Sequence, residues 1–132
     1  MKLIAGTNVL LRAVVGDDPR QSRAAIRAME QAEAVMVSQH ALCELAWVLD
    51  RGYGVSRADI AATIRQLRDT KNMVLDRPAV EAGLAVLDAG GDFADGVIAY
   101  EGTWLGGDAF LSFDKKAVAL LSAQGHETRL LR

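Results

Sequence analysis

The sequence is short of cysteine, proline and aromatic residues: one cysteine, two prolines, and Phe, Tyr and Trp together at 5% of 132 positions. The lone Cys43 cannot form an internal disulfide, and its apolar neighbours suit a buried thiol in a reducing cytoplasm. No stretch approaches the roughly 18 uninterrupted apolar residues of a transmembrane helix. The N-terminus has Lys2 followed by apolar residues, but Thr7, Asn8 and Arg12 interrupt it before a signal-peptide core forms, so a cytoplasmic location is expected. Charge of one sign is lacking as well. With a formal net charge of -2, any nucleic-acid contact must come from a local basic patch and not from a field around the whole molecule. There is no Gly-rich phosphate loop ending in Lys-Ser/Thr, no paired Cys/His zinc spacing, and no convincing Ser-His-Asp arrangement. His40 and His126 have no matching metal-ligand spacing and read as structural. No internal repeat, linker or low-complexity tract is visible.

What is present is the balance of a globular chain, 51% apolar and 24% charged, of a length that suits a single domain over residues 1–132. Lys2 to Ala5 reads as a strand handing over to a helix from about Val9 to Val15, which Gly16-Asp17-Asp18-Pro19 ends. An amphipathic helix follows from Pro19, with Arg20, Arg23 and Arg27 away from its alanine face. Residues 34–37 form a strand. Ser38 caps a helix carrying Leu42, Leu45, Ala46 and Leu49, and Ser56 caps another with Ile60, Ile64 and Leu67 on one face. Residues 73–75 read as a strand, Pro78 opens a helix, and another helix spans Phe93 to about Trp104. A strand at 109–113, a helix at 115–123 and a strand at 126–131 complete the chain. Strands alternating with helices predict an α/β fold: a mainly parallel sheet covered on both faces, with functional groups at the carboxyl ends of its strands.

Four acids occupy positions where they can gather. Glu44 is the only charged group between Ser38 and Leu49, so its surroundings should be at least partly covered, and a covered carboxylate needs a cation or hydrogen-bond donors. A salt bridge to an arginine explains it equally well when it is taken alone. Asp92 and Asp95 sit at the start of one helix and Asp114 at the start of another, where capping and the helix dipole account for acids without any function. The same positions lie where an open parallel sheet gathers its functional groups. Magnesium takes oxygen ligands and keeps several waters, so a few converging carboxylates suffice to hold it. Such an ion can activate water and stabilise charge on a phosphate oxygen, which makes phosphodiester hydrolysis the natural chemistry.

Four segments resemble the PIN-domain ribonucleases, and among them the VapC-type toxins of toxin–antitoxin pairs. They are residues 3–12 around Gly6-Thr7-Asn8, then Glu44-Leu45, then Asp92-Phe93-Ala94-Asp95 with Ile98-Ala99, and finally Ser112-Phe113-Asp114-Lys115-Lys116. They stand in family order with suitable spacing and span essentially the whole chain. The resemblance implies a three-layer α/β/α fold, Mg2+ or Mn2+ dependence, endonucleolytic RNA cleavage, homodimer formation and inhibition by a cognate VapB-type antitoxin. By position it assigns Glu44, Asp95 and Asp114 to the metal site. Asp92 matches an acid found in a subset of the family, and Thr7, Asn8 and Ser112 match supporting polar residues. The departure is Gly6, which stands where the family pattern has an aspartate. Asp17 and Asp18 lie too far along to replace it, so this copy is expected to bind metal weakly and to cleave RNA poorly or not at all.

Lys115 and Lys116 lie beside Asp114 and suit RNA phosphates. Arg20, Arg23 and Arg27 could approach RNA phosphates or acidic antitoxin groups, and a solvated face explains them equally well. Trp47, Tyr53 and Trp104 suit cores or interfaces, and Trp47 with Tyr53 could line a groove for an antitoxin helix. Two rival readings compete with an impaired nuclease. One is a non-catalytic PIN-like domain that binds antitoxin or RNA; the other is a receiver-like domain with a phosphate-accepting Asp, which wants acids after the first strand, where Gly6 stands.

Overall fold

Side chains at the helix starts set the punctuation of this chain. In the computed structural model, which describes residues 1–132, strand β1 (Lys2–Ile4) leads through Ala5 and Gly6 into helix α1 (Thr7–Val14). Helix α1 therefore begins two residues earlier than the apolar spacing suggests. Asp18 caps α2 (Pro19–Gln31), its Oδ1 accepting from the Gln21 amide at 3.1 Å, with Pro19 in the first helical turn where a missing N–H costs nothing. Ser38 caps α3 (Gln39–Tyr53) by accepting from the Ala41 amide at 3.0 Å, and Gly54 ends that helix at φ 63°, in the left-handed region open to glycine. Ser56 caps α4 (Arg57–Arg68) through the Asp59 amide at 3.2 Å.

These elements, with β2 (Ala34–Met36) and β3 (Met73–Val74), make the first of two compact units, Met1–Asp76. Its sheet runs β1-β2-β3 with both pairings parallel, Leu3 opposite Val35 and Val35 opposite Met73. Leu10, Val35, Leu42, Leu45, Ile60 and Ile64 are almost wholly buried. Burial of each such side chain contributes about 1.5–3 kcal/mol before the conformational entropy of ordering it is counted. Asn72 donates through Nδ2 to the carbonyls of Met29 and Ala32, at 2.8 and 3.1 Å, and so fastens the approach to β3 onto the end of α2. At the far end of α1 the Asp17 carboxylate accepts from Arg12 at 2.8 Å and from the Tyr53 hydroxyl at 2.8 Å, joining α1 to α3. The Tyr53 hydroxyl and the Arg12 guanidinium together hold Asp17 below the usual carboxylate range, while the aspartate raises the guanidinium.

The second unit, Arg77–Arg132, holds α5 (Arg77–Asp88), α6 (Phe93–Trp104), β4 (Phe110–Ser112), α7 (Lys115–Ala123) and β5 (Thr128–Leu130). Strands β4 and β5 pair in parallel, with Phe110 opposite Thr128 and Ser112 opposite Leu130. Helices α5 and α6 approach through glycine. A Cβ on Gly83 would stand 2.6 Å from the Phe93 ring, and one on Gly96 would run into the backbone carbonyl of Ala82. Phe93 is thereby buried against α5, and Val80, Leu84, Val86 and Leu121 share its near-complete burial.

Every strand pairing is parallel and strands alternate with helices, the α/β pattern of the three-layer α/β/α class. The parallel strands are divided between a three-stranded and a two-stranded sheet. Of the two expected places for the tryptophans, cores or interfaces, the fold excludes the core. Trp47 is 62% exposed and Trp104 76%, so neither packs in a core; Trp104 makes a tilted ring contact with Tyr100 at 6.5 Å between centroids.

Candidate metal and nuclease site

In the first unit the candidate residues meet at the N-terminus of α1 and the middle of α3. Apolar residues of α3 at 41, 42, 45, 46 and 49 turn to the core, which leaves His40, Glu44, Trp47 and Arg51 on the opposite, exposed stripe. Glu44 is therefore not covered, as its apolar neighbours in sequence suggest; its side chain is 52% exposed. Its Oε1 accepts from the Thr7 hydroxyl at 3.3 Å and lies 2.8 Å from Nε2 of His40, one turn earlier. Thr7 thus supports the acid. The contact with His40 escaped the sequence reading, although the i,i+4 spacing on one helix could have signalled it.

Gly6 sits at the N-cap of α1, where no side chain caps the helix. Its backbone, at φ −74° and ψ 161°, is ordinary extended chain that any residue adopts. A Cβ built there would have Asn8 Oδ1 as its nearest neighbour, at 3.6 Å, an ordinary contact. The fold does not require glycine at this position.

In the second unit Asp92, Asp95, Ser112 and Asp114 belong to the starts of α6 and α7 and the end of β4. Asp114 caps α7 through one oxygen: Oδ1 accepts from the amides of Lys116 at 2.9 Å and Ala117 at 3.1 Å. The Ser112 hydroxyl accepts from the Asp114 amide at 2.9 Å and fixes the turn. Asp92 occupies the N-cap position of α6, yet its side chain makes no capping bond, contrary to the expected role. Asp95, in the first turn of α6, is half-buried. Burial pushes its carboxyl above the usual range, and the negative charges of Asp92 and then Asp114 push it further. Asp92 and Asp114 thus both lie close enough to act on Asp95. Lys116 extends over the loop between α5 and α6, its Nζ 4.0 Å from where a Cβ of Gly90 would lie.

No group of three or more His, Cys, Asp or Glu side chains is drawn together tightly enough to hold a metal ion. The chemistry of the donors nevertheless suits one. They are oxygen donors, most of them exposed, and the like charges around Asp95 would be relieved by a hard divalent cation. A groove of about 390 Å3 between α1, α2 and α4, lined by Ile26, Met29, Leu67 and Met73, contains none of these residues.

No helix is long and apolar enough to cross a membrane. No curated protein matches the chain. The PIN domain family matches residues 6–120, a span that opens on Gly6 and takes in Thr7, Asn8, Glu44, Asp92, Asp95, Ser112 and Asp114. PIN domains are generally nucleases that use divalent metals. With the match covering most of its length and the acids placed on α3, α6 and the start of α7, this chain belongs to the PIN-domain family.

Proposed function

We propose that the chain is a VapC-type endoribonuclease toxin whose cleavage is impaired by Gly6, and which pairs with a cognate VapB-type antitoxin. The observation that carries the impairment is the backbone at Gly6. It is unstrained, it stands at the helix N-cap one residue before Thr7, and it leaves ordinary room for a side chain. A position whose backbone and Cβ space suit an ordinary residue, but which carries glycine, lacks a side-chain ligand without being misfolded.

In this reading Glu44, Asp95 and Asp114 hold Mg2+ or Mn2+. Capping occupies Oδ1 of Asp114 and leaves its other oxygen for the ion. Thr7 orients Glu44 through its hydroxyl, and Ser112 holds the turn that presents Asp114. Asp92, whose carboxylate is not used in capping, adds negative charge beside Asp95. Lys115 and Lys116, both exposed at the start of α7, meet the RNA phosphates. A divalent cation supplies a more acidic water and neutralises a phosphate oxygen in an in-line displacement. Loss of even an outer partner of a metal ligand typically costs about 10 to 100-fold in affinity or activity, and loss of a ligand costs at least that.

The test is Mg2+- and Mn2+-dependent cleavage of total, transfer and ribosomal RNA before and after Gly6→Asp. A gain of about 10 to 100-fold or more is expected. Equal inactivity of both proteins, with both folded and RNA intact, would sink the nuclease reading. It would favour a non-catalytic PIN-like domain that binds antitoxin or RNA, a reading to which the missing ligand at Gly6 already lends weight.

A further inference from the structure

Three arginines on α2 are exposed and carry no charge partner. Arg20, Arg23 and Arg27 are all exposed, and at 100° per residue they fall within a narrow arc, opposite the buried Ala25 and half-buried Met29. None of their side chains makes an ion pair or hydrogen bond with another group of the protein. The nearby acids are engaged elsewhere. The Asp18 carboxylate caps α2, and Asp17 is held by Arg12 and Tyr53. Glu30, a turn beyond Arg27, lines the groove on the other flank of α2. A chain with more acids than bases has thus left three neighbouring guanidinium groups without partners.

Between α1 and α2 runs a groove of about 310 Å3 lined by Val9, Ala25 and Ala28, with Asn8 and Gln21 beside them. Asn8 is two residues from Gly6, and Ala24, also in the groove wall, is one turn on from Arg20, so the groove lies between the start of α1 and the neighbouring arginine face of α2.

We infer that Arg20, Arg23 and Arg27 form a docking strip for the phosphate backbone of the RNA, separate from Lys115 and Lys116. The inference rests on the nuclease reading for its ligand. From Arg20 to Arg27 the helix rises about 10 Å, a length over which a strand with one phosphate per roughly 3.4 Å presents about three charges. Guanidinium forks suit phosphate oxygens better than ammonium groups do. Contacts of this kind position a strand without reading its sequence, so they set affinity and register and leave the choice of cleavage site to other groups.

The impaired chain is a convenient reagent, since binding can be followed without cutting. Anisotropy of a labelled single-stranded oligoribonucleotide is titrated with the full chain in EDTA over a series of salt concentrations. Each phosphate contact contributes roughly 0.7 to the slope of log K against log salt for a single strand. Arg20→Gln/Arg23→Gln/Arg27→Gln is therefore expected to lower the slope by about 2 and each single substitution by about 0.7. The control is Lys71→Gln/Arg129→Gln/Arg132→Gln, which removes the same charge from elsewhere, and circular dichroism verifies that all variants fold. An unchanged slope in the α2 variant overturns the inference, and so does an equal loss in the control. Neither outcome touches the nuclease reading, which stands or falls with the gain of cleavage on Gly6→Asp.

Discussion

Glu44 in the first unit and Asp95 in the second are both carboxylates to which the proposed function gives a metal, yet they live under opposite conditions. Glu44 is half-exposed, accepts from Thr7 and has His40 within hydrogen-bond distance. Asp95 is half-buried, with Asp92 and Asp114 raising its proton affinity on top of the effect of burial. In the proposed reading the difference follows from which acids remain. Glycine at position 6 gives Glu44 no neighbouring aspartate, while the second unit keeps Asp92 and Asp114 and with them the repulsion on Asp95. The proposed impairment is then confined to the surroundings of Glu44.

The largest expected effect tests whether both halves are needed. In a Gly6→Asp background, Glu44→Gln and Asp95→Asn should each abolish the regained cleavage, by about 100-fold or more as for a lost ligand, measured as initial rates in Mn2+ at saturating RNA. Retained activity in either variant would remove that acid from the mechanism and break the symmetry of the comparison.

Next in size is Gly96→Ala, which thrusts a methyl into the Ala82 carbonyl on the helix pair that carries Asp95. Overpacking of this kind costs about 1–3 kcal/mol, to be read from denaturant unfolding. Gly6→Ala, with only an ordinary contact to Asn8 Oδ1 and extended backbone, should shift the midpoint far less.

Asp95→Asn sharpens the contrast in metal-free protein. Because the folded pKa lies above the usual 3.8, the folded state binds more protons than the unfolded chain in the window between the two values. Stability therefore falls as pH rises through that window, and the penalty persists above it. The asparagine variant should melt higher than the parent at neutral pH in EDTA, and the gap should close as pH drops toward 3.8. A parent as stable as the variant at neutral pH would contradict the repulsion.

The smallest effect belongs to the partly exposed clasp on the first unit. Tyr53→Phe removes the donor that contributes most to lowering the Asp17 pKa. The clasp's contribution is present above 3.8 and lost as pH falls through the depressed folded value. A slight drop in melting temperature is expected at neutral pH and none in strong acid.

Most element boundaries were legible because the signals are local. Ser38, Ser56, Asp18 and Asp114 each make the capping bond their position implies. Asp92 carries the same signal and makes none, and nothing in its surroundings explains why. The exposure of Glu44 was masked by Trp47. Read as a core aromatic, the tryptophan makes α3 look apolar all round, whereas it lies on the same exposed stripe as Glu44. The contacts between Thr7 and Glu44 and between Asp17 and Tyr53 link residues 37 and 36 positions apart. Their partners are set by how α1 lies against α3, which no short window of sequence reports.

The relaxed backbone at Gly6 bears on heredity as well as on chemistry. Codons for glycine and aspartate can differ in their second base alone, and the chain around this position already has the shape the acid would take. No compensating change elsewhere has to come first. Where the codon is GGT or GGC, one base substitution turns this glycine into aspartate, and in the proposed reading selection against a harmful nuclease favours the reverse step, from aspartate to glycine.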